Sequence, residues 1–73
     1  MIIQDEMLRA AIARTLQIEE TDITEKKLEE LTTLSARSSG IISLEGLQYA
    51  VNLKYLDLCG NAIEDLTPIR DLR

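Results

Sequence analysis

The sequence lacks histidine, phenylalanine and tryptophan, and it contains a single cysteine and a single proline. One cysteine cannot form a disulfide within the chain. Without histidine, the chain also lacks the commonest metal ligand and the usual general base of a nucleophilic site. No stretch resembles a glycine-rich loop that would cradle a phosphate. We therefore expect no enzymatic activity, no metal site and no bound cofactor.

Positive charge is also scarce, since 8 basic residues stand against 13 acidic ones and the net charge is −5. Nucleic acids and anionic membrane surfaces attract clustered lysine and arginine, so neither is expected as a partner. No apolar run approaches the roughly 20 residues that cross a bilayer, and no apolar signal-peptide segment follows Met1. We expect either an intracellular protein or a mature domain whose export signal has been removed.

Leucine and isoleucine, by contrast, are abundant and regularly spaced. Residues 53–63 follow the pattern L-x-x-L-x-L-x-x-N-x-I, which is typical of a leucine-rich repeat. Leu56 and Leu58 are predicted to point into the core, because successive side chains of a strand alternate between its two faces. The side-chain amide of Asn61 can then bond backbone groups that the turn after the strand leaves unpaired.

The same pattern occurs once earlier in the chain. Leu31 corresponds to Leu53, and further apolar positions match at the same offset. The matched pairs are Leu34 with Leu56, Ile41 with Ile63, Leu44 with Leu66, Leu47 with Ile69, and Ala50 with Leu72. The earlier copy has Ala36 and Ser39 where the later one has leucine and asparagine. Terminal repeats are often atypical in this way, so we interpret it as the first repeat.

Two helices are predicted before the repeats. Residues 5–16 have the spacing of an amphipathic helix whose N-cap is expected to be Gln4 or Asp5. Its predicted buried face consists of Leu8, Ala11, Ile12, Thr15 and Leu16. A second helix is predicted to begin after its N-cap, Thr24, and to bury Leu28.

The length of 73 residues allows one domain. We expect an α+β fold in which residues 1–30 form a helical N-terminal cap and residues 31–73 form about two leucine-rich repeats of about 22 residues each. The strands are expected near residues 33–36 and 55–58. They should be parallel neighbours, because successive coils of a solenoid follow the same path.

Nearly the whole chain, residues 5–72, resembles the N-terminal cap and first repeats of internalin-type bacterial leucine-rich repeat proteins. The resemblance rests on Ile23-Thr24-Glu25, Leu31-Thr32-Thr33-Leu34, Gly40-Ile41, Ser43-Leu44-Glu45-Gly46-Leu47-Gln48-Tyr49-Ala50, Gly60-Asn61-Ala62-Ile63 and Thr67-Pro68-Ile69. It implies a helical cap and a curved stack of coils whose concave sheet face binds a protein. It also implies a location at the cell surface or outside the cell. An intracellular, cytoplasmic leucine-rich repeat regulator of similar period is the alternative.

Six side chains are predicted to point outward from the two strands and to form the candidate binding face. They are Thr33, Ser35 and Arg37 in the first repeat and Tyr55, Asp57 and Cys59 in the second. Tyrosine and arginine are favoured anchors at protein interfaces, so a protein ligand is the expected partner. The alternative is a solvated sheet face in which Arg37 and Asp57 partly neutralise each other. Cys59 is expected to be passive, because no base or electropositive setting would activate it.

The sequence also predicts an association edge on the downstream side of the second repeat. Its apolar residues are Leu56, Leu58, Ile63, Leu66 and Ile69. The sequence stops at Leu72-Arg73, at the end of the second repeat, so this side is expected to have no partner within the chain. Exposed apolar surface and unpaired strand edges recruit other chains. The chain is therefore expected either to be a piece of a longer repeat protein or to be a self-associating structural unit, most simply a two-fold homodimer through this open C-terminal end.

Overall fold

The computed structural model describes residues 2–63 and 66–69. This part of the chain contains two helices, two short strands and three 3-10 turns, joined by loops. In chain order they are α1 (Glu6–Leu16), the turn Glu20–Asp22, α2 (Glu25–Leu28), β1 (Thr33–Ser35), the turn Leu47–Tyr49, β2 (Tyr55–Asp57) and the turn Thr67–Ile69. A short helical segment before a small sheet agrees with the expected α+β class. Leu72, the expected counterpart of Ala50, lies outside the described residues.

Helix α1 begins where the sequence predicts, because Asp5 caps it. Its Oδ1 accepts hydrogen bonds from the N–H groups of Met7 and Leu8 at 2.9 and 3.1 Å. The buried side chains of the helix are Leu8, Ala11, Ile12 and Ala13. The expectation that Thr15 belongs to this face is wrong, since Thr15 is exposed. Its hydroxyl donates to the carbonyl of Ala11 at 2.9 Å, so the helix itself satisfies the polar group and burial would add nothing.

Helix α2 is a single turn of four residues. Thr24 caps it as predicted, with its Oγ1 accepting from the N–H of Lys27 at 3.1 Å. Leu28, its last residue, is fully buried. Just beyond the helix, the carbonyl of Glu29 accepts a hydrogen bond from the side-chain amide of Asn52 at 2.8 Å. This bond ties the helical segment to the residues that lead into β2.

Strands β1 and β2 are parallel neighbours, as predicted. The paired residues are Thr33 with Tyr55, Leu34 with Leu56, and Ser35 with Asp57. Each pair has the same separation in the chain as the recurring leucines. The pairing continues past the strands, because the N–H of Ala36 donates to the carbonyl of Asp57 at 2.9 Å and that of Ser38 to the carbonyl of Cys59 at 2.7 Å. The register therefore places equivalent positions of the two copies side by side.

The core lies between the helices and residues 31–52, which we call the first unit; residues 53–69 are the second unit. The largest fully buried side chains are Ile3, Leu8, Ile12, Leu28, Leu31, Leu34, Ile41, Leu44 and Leu47. In the second unit Leu53 is buried, but the apolar residues after it are half-buried or exposed. These are Leu56, Leu58, Ile63, Leu66 and Ile69. The first unit is thus covered on both sides, whereas the described residues cover the second unit on one.

After β1 the chain returns through residues 39–43, the return segment, which has no helix or strand to pair its backbone. Asn61 provides partners from the second unit, at the turn where the sequence predicts an asparagine to act. Its Oδ1 accepts two hydrogen bonds and its Nδ2 donates two. The four backbone groups are the N–H of Ser39 (2.9 Å), the N–H of Ile41 (3.0 Å), the carbonyl of Ala36 (2.7 Å) and the carbonyl of Leu58 (2.9 Å). One side-chain amide therefore joins the two units.

Asp5 holds the other half of the return segment. Its Oδ2 accepts from the N–H groups of Ile42 and Ser43 at 2.8 and 3.1 Å, while its Oδ1 caps α1. Partial burial disfavours the charged form of Asp5, but the four backbone N–H groups together outweigh that effect and hold its pKa below the ordinary value. A single carboxylate fixes both the start of α1 and a segment 37 residues later.

Gly60 is required by the close approach of the two units. Its φ of +80° is a left-handed conformation, and a Cβ built on it would lie 2.5 Å from the hydroxyl oxygen of Ser38. Gly46 has a similar constraint, because its φ is +101° and a Cβ there would overlap the carbonyl of Ile2. A larger residue at Gly46 would therefore push the backbone of Ile2 away, whereas one at Gly60 would displace the hydroxyl of Ser38 and adopt a strained positive φ.

We expect Asp5→Asn to loosen the attachment of α1 to the return segment. Asparagine keeps one acceptor oxygen, which suffices for a helix cap, but its amide nitrogen cannot accept from the second pair of N–H groups. The loss should be about 1–3 kcal/mol of unfolding free energy at neutral pH. The pKa of Asp5 is lower in the folded chain than in the unfolded chain. Its contribution is therefore complete above about pH 4 and is lost as the pH falls through the folded-state pKa.

Urea unfolding of both proteins between neutral and strongly acidic pH measures this effect. The stability difference should be constant near neutral pH and should shrink as the wild-type carboxylate becomes protonated. Glu6→Gln is the matched control, because it removes a neighbouring carboxylate from the same helical turn without touching the return segment. A difference for Asp5→Asn that stays the same at every pH would contradict the assigned role of Asp5.

Candidate protein-binding face

The outward side chains of β1 and β2 form neighbouring pairs across the sheet, which we call the outward row. The strand register puts Thr33 beside Tyr55 and Ser35 beside Asp57. The leucines between them turn the other way, and Leu34 is completely buried. Because Leu34 lies in the core and the half-buried Leu56 packs against it, the outward side chains stand on backbone that is supported from behind.

Five of the six predicted face residues are exposed. They are Thr33, Ser35, Arg37, Tyr55 and Cys59. The sixth, Asp57, is half-buried. Tyr55 keeps 55% of its surface open, so a large aromatic ring stands free on this side of the sheet. The register pairs Thr33 with Tyr55 and Ser35 with Asp57, and the candidate face as a protein-binding site stays a prediction.

Arg37 and Asp57 form an ion pair across the two units. The Nε of Arg37 lies 3.5 Å from Oδ2 of Asp57, and the two side chains are 66% and 17% exposed. Exposed pairs of this kind contribute little to stability, because water screens the charges. The contact places the guanidinium beside Asp57, and most of the Arg37 side chain stays open to solvent.

Cys59 has a role that the sequence analysis missed. Its backbone N–H donates to Oδ1 of Asp57 at 3.2 Å. The pKa of Asp57 is lowered chiefly by this bond, then by a bond from the Cys59 thiol, with the charge of Arg37 as a smaller cause. An aspartate whose side chain bonds the N–H two residues later forms an Asx-turn. The aspartate followed by a chain reversal at Gly60 was the signal that could have revealed it.

Neither a metal-binding cluster nor a membrane-spanning helix is present in the described residues, 2–63 and 66–69. No group of three or more histidine, cysteine, aspartate or glutamate side chains in that part is placed to hold a metal ion. Within the same ranges, no helix combines the length and the apolar character needed to cross a membrane. The face itself offers hydroxyl groups, one ion pair, one thiol and one exposed aromatic ring.

The geometry defines a class of protein. Parallel strands one repeat apart, inward leucines and an asparagine that bonds the neighbouring unit are features of leucine-rich repeats. No family model matches the chain. Several solved structures do match the chain, and they indicate which leucine-rich repeat proteins it resembles.

An internalin, inlF, from Listeria monocytogenes is 37% identical to the chain with a TM-score of 0.89, over 97% of this chain and 22% of that one. Internalin C2 from the same organism is 38% identical with a TM-score of 0.89, over 97% of this chain and 32% of that one. A structure of the CBM51-2 and INT domains of ZmpB from Clostridium perfringens is 35% identical with a TM-score of 0.87, over 97% of this chain and 15% of that one.

The chain is therefore an internalin-like leucine-rich repeat chain, as the sequence resemblance indicates. It spans between 15% and 32% of the length of these three proteins. The shared fold accounts for the helical segment and the small parallel sheet.

Arg37→Ala should leave most of the lowering of the Asp57 pKa in place, because the bonds from Cys59 are the larger cause. Cys59→Ala removes the thiol bond but keeps the backbone N–H, so it should raise the pKa of Asp57 further than Arg37→Ala does. Carbon NMR of the Asp57 carboxyl group during a pH titration measures both shifts. Return of Asp57 to an ordinary aspartate pKa in Arg37→Ala would show that the ion pair, not the turn, controls it.

Proposed function

We propose that the chain is a non-enzymatic protein-binding module and forms the N-terminal part of an internalin-like leucine-rich repeat protein. In this proposal residues 1–30 are the helical cap, and residues 31–73 are about two repeats of a solenoid. The outward row of β1 and β2 is the start of its concave binding surface. The proposed partner is a protein, and the proposed location is the cell surface or the extracellular space.

The observation that carries the proposal is the exposure of Tyr55 and Arg37 on a sheet whose back is packed. An exposed tyrosine ring provides apolar area and a hydroxyl at little cost in conformational entropy, because it has few rotatable bonds. Arg37 provides terminal nitrogens that can meet a carboxylate or a backbone carbonyl of the partner. Residues of these two types dominate the energetic centres of protein interfaces.

The remaining residues of the candidate face also favour protein binding. Thr33 and Ser35 present small hydroxyl side chains beside Tyr55 and Asp57, so a partner can approach the sheet closely. The acidic majority of the chain, with a net charge of −5, also favours a partner that is not itself strongly acidic. Similarity to internalins supports a protein-interaction role in general.

Cross-linking from the face tests the proposal and identifies the partner. Tyr55 is replaced by a photoreactive phenylalanine analogue, and the control carries the same analogue at Ile42, which is 59% exposed but lies in the return segment outside the strands. We expect a protein that cross-links from position 55 and not from position 42. With that protein purified, Tyr55→Ala and Arg37→Ala should each weaken its binding by about tenfold or more.

The same substitutions should leave the free energy of unfolding within about 0.5 kcal/mol of wild type, because both side chains are largely exposed. Ile42→Ala serves as the matched control and should change neither binding nor stability. Equal cross-linking from positions 55 and 42, or unchanged binding of both face variants, would refute a binding role for this face.

A further inference from the structure

Two residues other than glycine have a left-handed backbone in the part of the chain that the structure describes. Gln17 has a φ of +59° and ends α1, and left-handed residues are common at helix ends. Ser38 has a φ of +50° and belongs to no helix or strand. A side chain in this conformation crowds its own backbone, which lowers stability. The helix end explains the conformation of Gln17, whereas that of Ser38 needs another explanation.

The second unit shows which residue this turn accepts without strain. Gly60 occupies the position that matches Ser38 in the pattern, and its φ is +80°. Both residues are left-handed, so the turn after each strand requires this conformation. Glycine adopts it without a steric penalty, because it has no Cβ. Serine at position 38 is therefore a less stable choice than the residue that the second unit uses.

The hydroxyl of Ser38 has no hydrogen-bonding partner within residues 2–63 and 66–69, and the residue is exposed. Its backbone is nevertheless held in place, because the N–H of Ser38 donates to the carbonyl of Cys59 at 2.7 Å. The hydroxyl oxygen lies over Gly60, since a Cβ built on Gly60 would be 2.5 Å from it. The absence of a side chain at Gly60 thus makes room for an unbonded hydroxyl on a fixed backbone.

Ser38 lies at one end of the candidate face. It directly follows Arg37, and its N–H bonds Cys59, which belongs to the same face. Gly60 is exposed and has no side chain, so another backbone can come close to it. Arg37 already has an anionic neighbour in Asp57, with 3.5 Å between Nε and Oδ2. This end of the face therefore suits an uncharged group that forms hydrogen bonds.

We propose that Ser38 is a further residue of the binding face and that its hydroxyl bonds a backbone carbonyl or amide of the partner protein. A hydroxyl both accepts and donates, so it matches either half of a peptide group. This role for Ser38 rests on the proposed function, because it adds a contact to the same face. It also explains why a strained serine stands where glycine would fold better, since strained residues are typical of functional sites.

Two substitutions separate the hydroxyl from the strain. Ser38→Gly removes both, so it should raise the melting temperature by about 2–6 °C. Ser38→Ala removes the hydroxyl and keeps the strain, so its melting temperature should stay close to that of wild type. Both variants should bind the protein captured from position 55 about threefold to tenfold more weakly, which is the effect of losing one uncharged hydrogen bond.

Thr21→Ala is the matched control for the loss of a hydroxyl. Thr21 is exposed in the turn Glu20–Asp22, outside the sheet, and none of the described residues bonds its hydroxyl. Its substitution should leave the affinity for the captured protein unchanged. Tyr55→Ala is measured in the same assay and reports whether the face binds this protein at all.

Weaker binding of both Ser38 variants, with a higher melting temperature for Ser38→Gly alone, is the expected result. Wild-type affinity of Ser38→Gly beside weak binding of Tyr55→Ala would overturn the role of Ser38 and leave the binding face intact. Weak binding of Ser38→Gly but not of Ser38→Ala would overturn it too, because the loss would then come from the backbone.

Two further results would also contradict this role. A melting temperature of Ser38→Gly below that of wild type would show that the serine is not strained. Wild-type affinity of Tyr55→Ala and of both Ser38 variants, or the capture of no protein from position 55, would refute the proposed function and the role of Ser38 together.

Discussion

The side-chain amide of Asn61 is the interaction on which the rest of this structure depends. The return segment leaves the sheet without entering a helix, and buried backbone N–H groups without partners are costly. Asn61 reaches across from the second unit and bonds the N–H groups of Ser39 and Ile41. Only a carboxamide can accept these two bonds and also donate to the carbonyls of Ala36 and Leu58.

Asp5 provides hydrogen-bond acceptors for the second half of the return segment. It takes the next two N–H groups of the return segment, those of Ile42 and Ser43. The acceptor is a carboxylate at Asp5 and a carboxamide at Asn61 because the two side chains meet different backbone groups. Asp5 meets four N–H donors and no carbonyl, so a carboxylate fits, whereas Asn61 meets donors and acceptors together. Four N–H groups of the irregular segment thereby have acceptors, and the core beneath it can close.

The candidate face follows from this arrangement. With the return segment fixed, the first and second units stack in one register, and Tyr55 and Asp57 come to lie beside Thr33 and Ser35. The inward leucines anchor the strands, so the outward row is presented on rigid backbone. Arg37 then lies beside Asp57, whose pKa the turn at Cys59 holds below its ordinary value.

Periodicity made much of this predictable. The regular recurrence of leucine predicts the parallel register, and the alternation within each strand predicts which side chains point outward. The repeat pattern also predicts an asparagine at the turn occupied by Asn61. Hydrogen bonds between residues outside the repeat pattern cannot be predicted in this way. Asp5 could be recognised as a helix cap, but nothing local marks Ile42 and Ser43, 37 and 38 residues away, as its other partners. The burial of Ala13 in place of Thr15 depends likewise on how α1 is rotated against the core, which helical spacing alone leaves open.

The most direct test of this account is amide hydrogen exchange in Asn61→Ala. The account predicts that exchange at Ser39 and Ile41 accelerates by about tenfold or more, because both N–H groups lose their acceptor. Ile42 and Ser43, which Asp5 holds, should accelerate less as long as the variant stays folded. Wild-type exchange rates at Ser39 and Ile41 in a folded Asn61→Ala protein would contradict the central role given to this side chain.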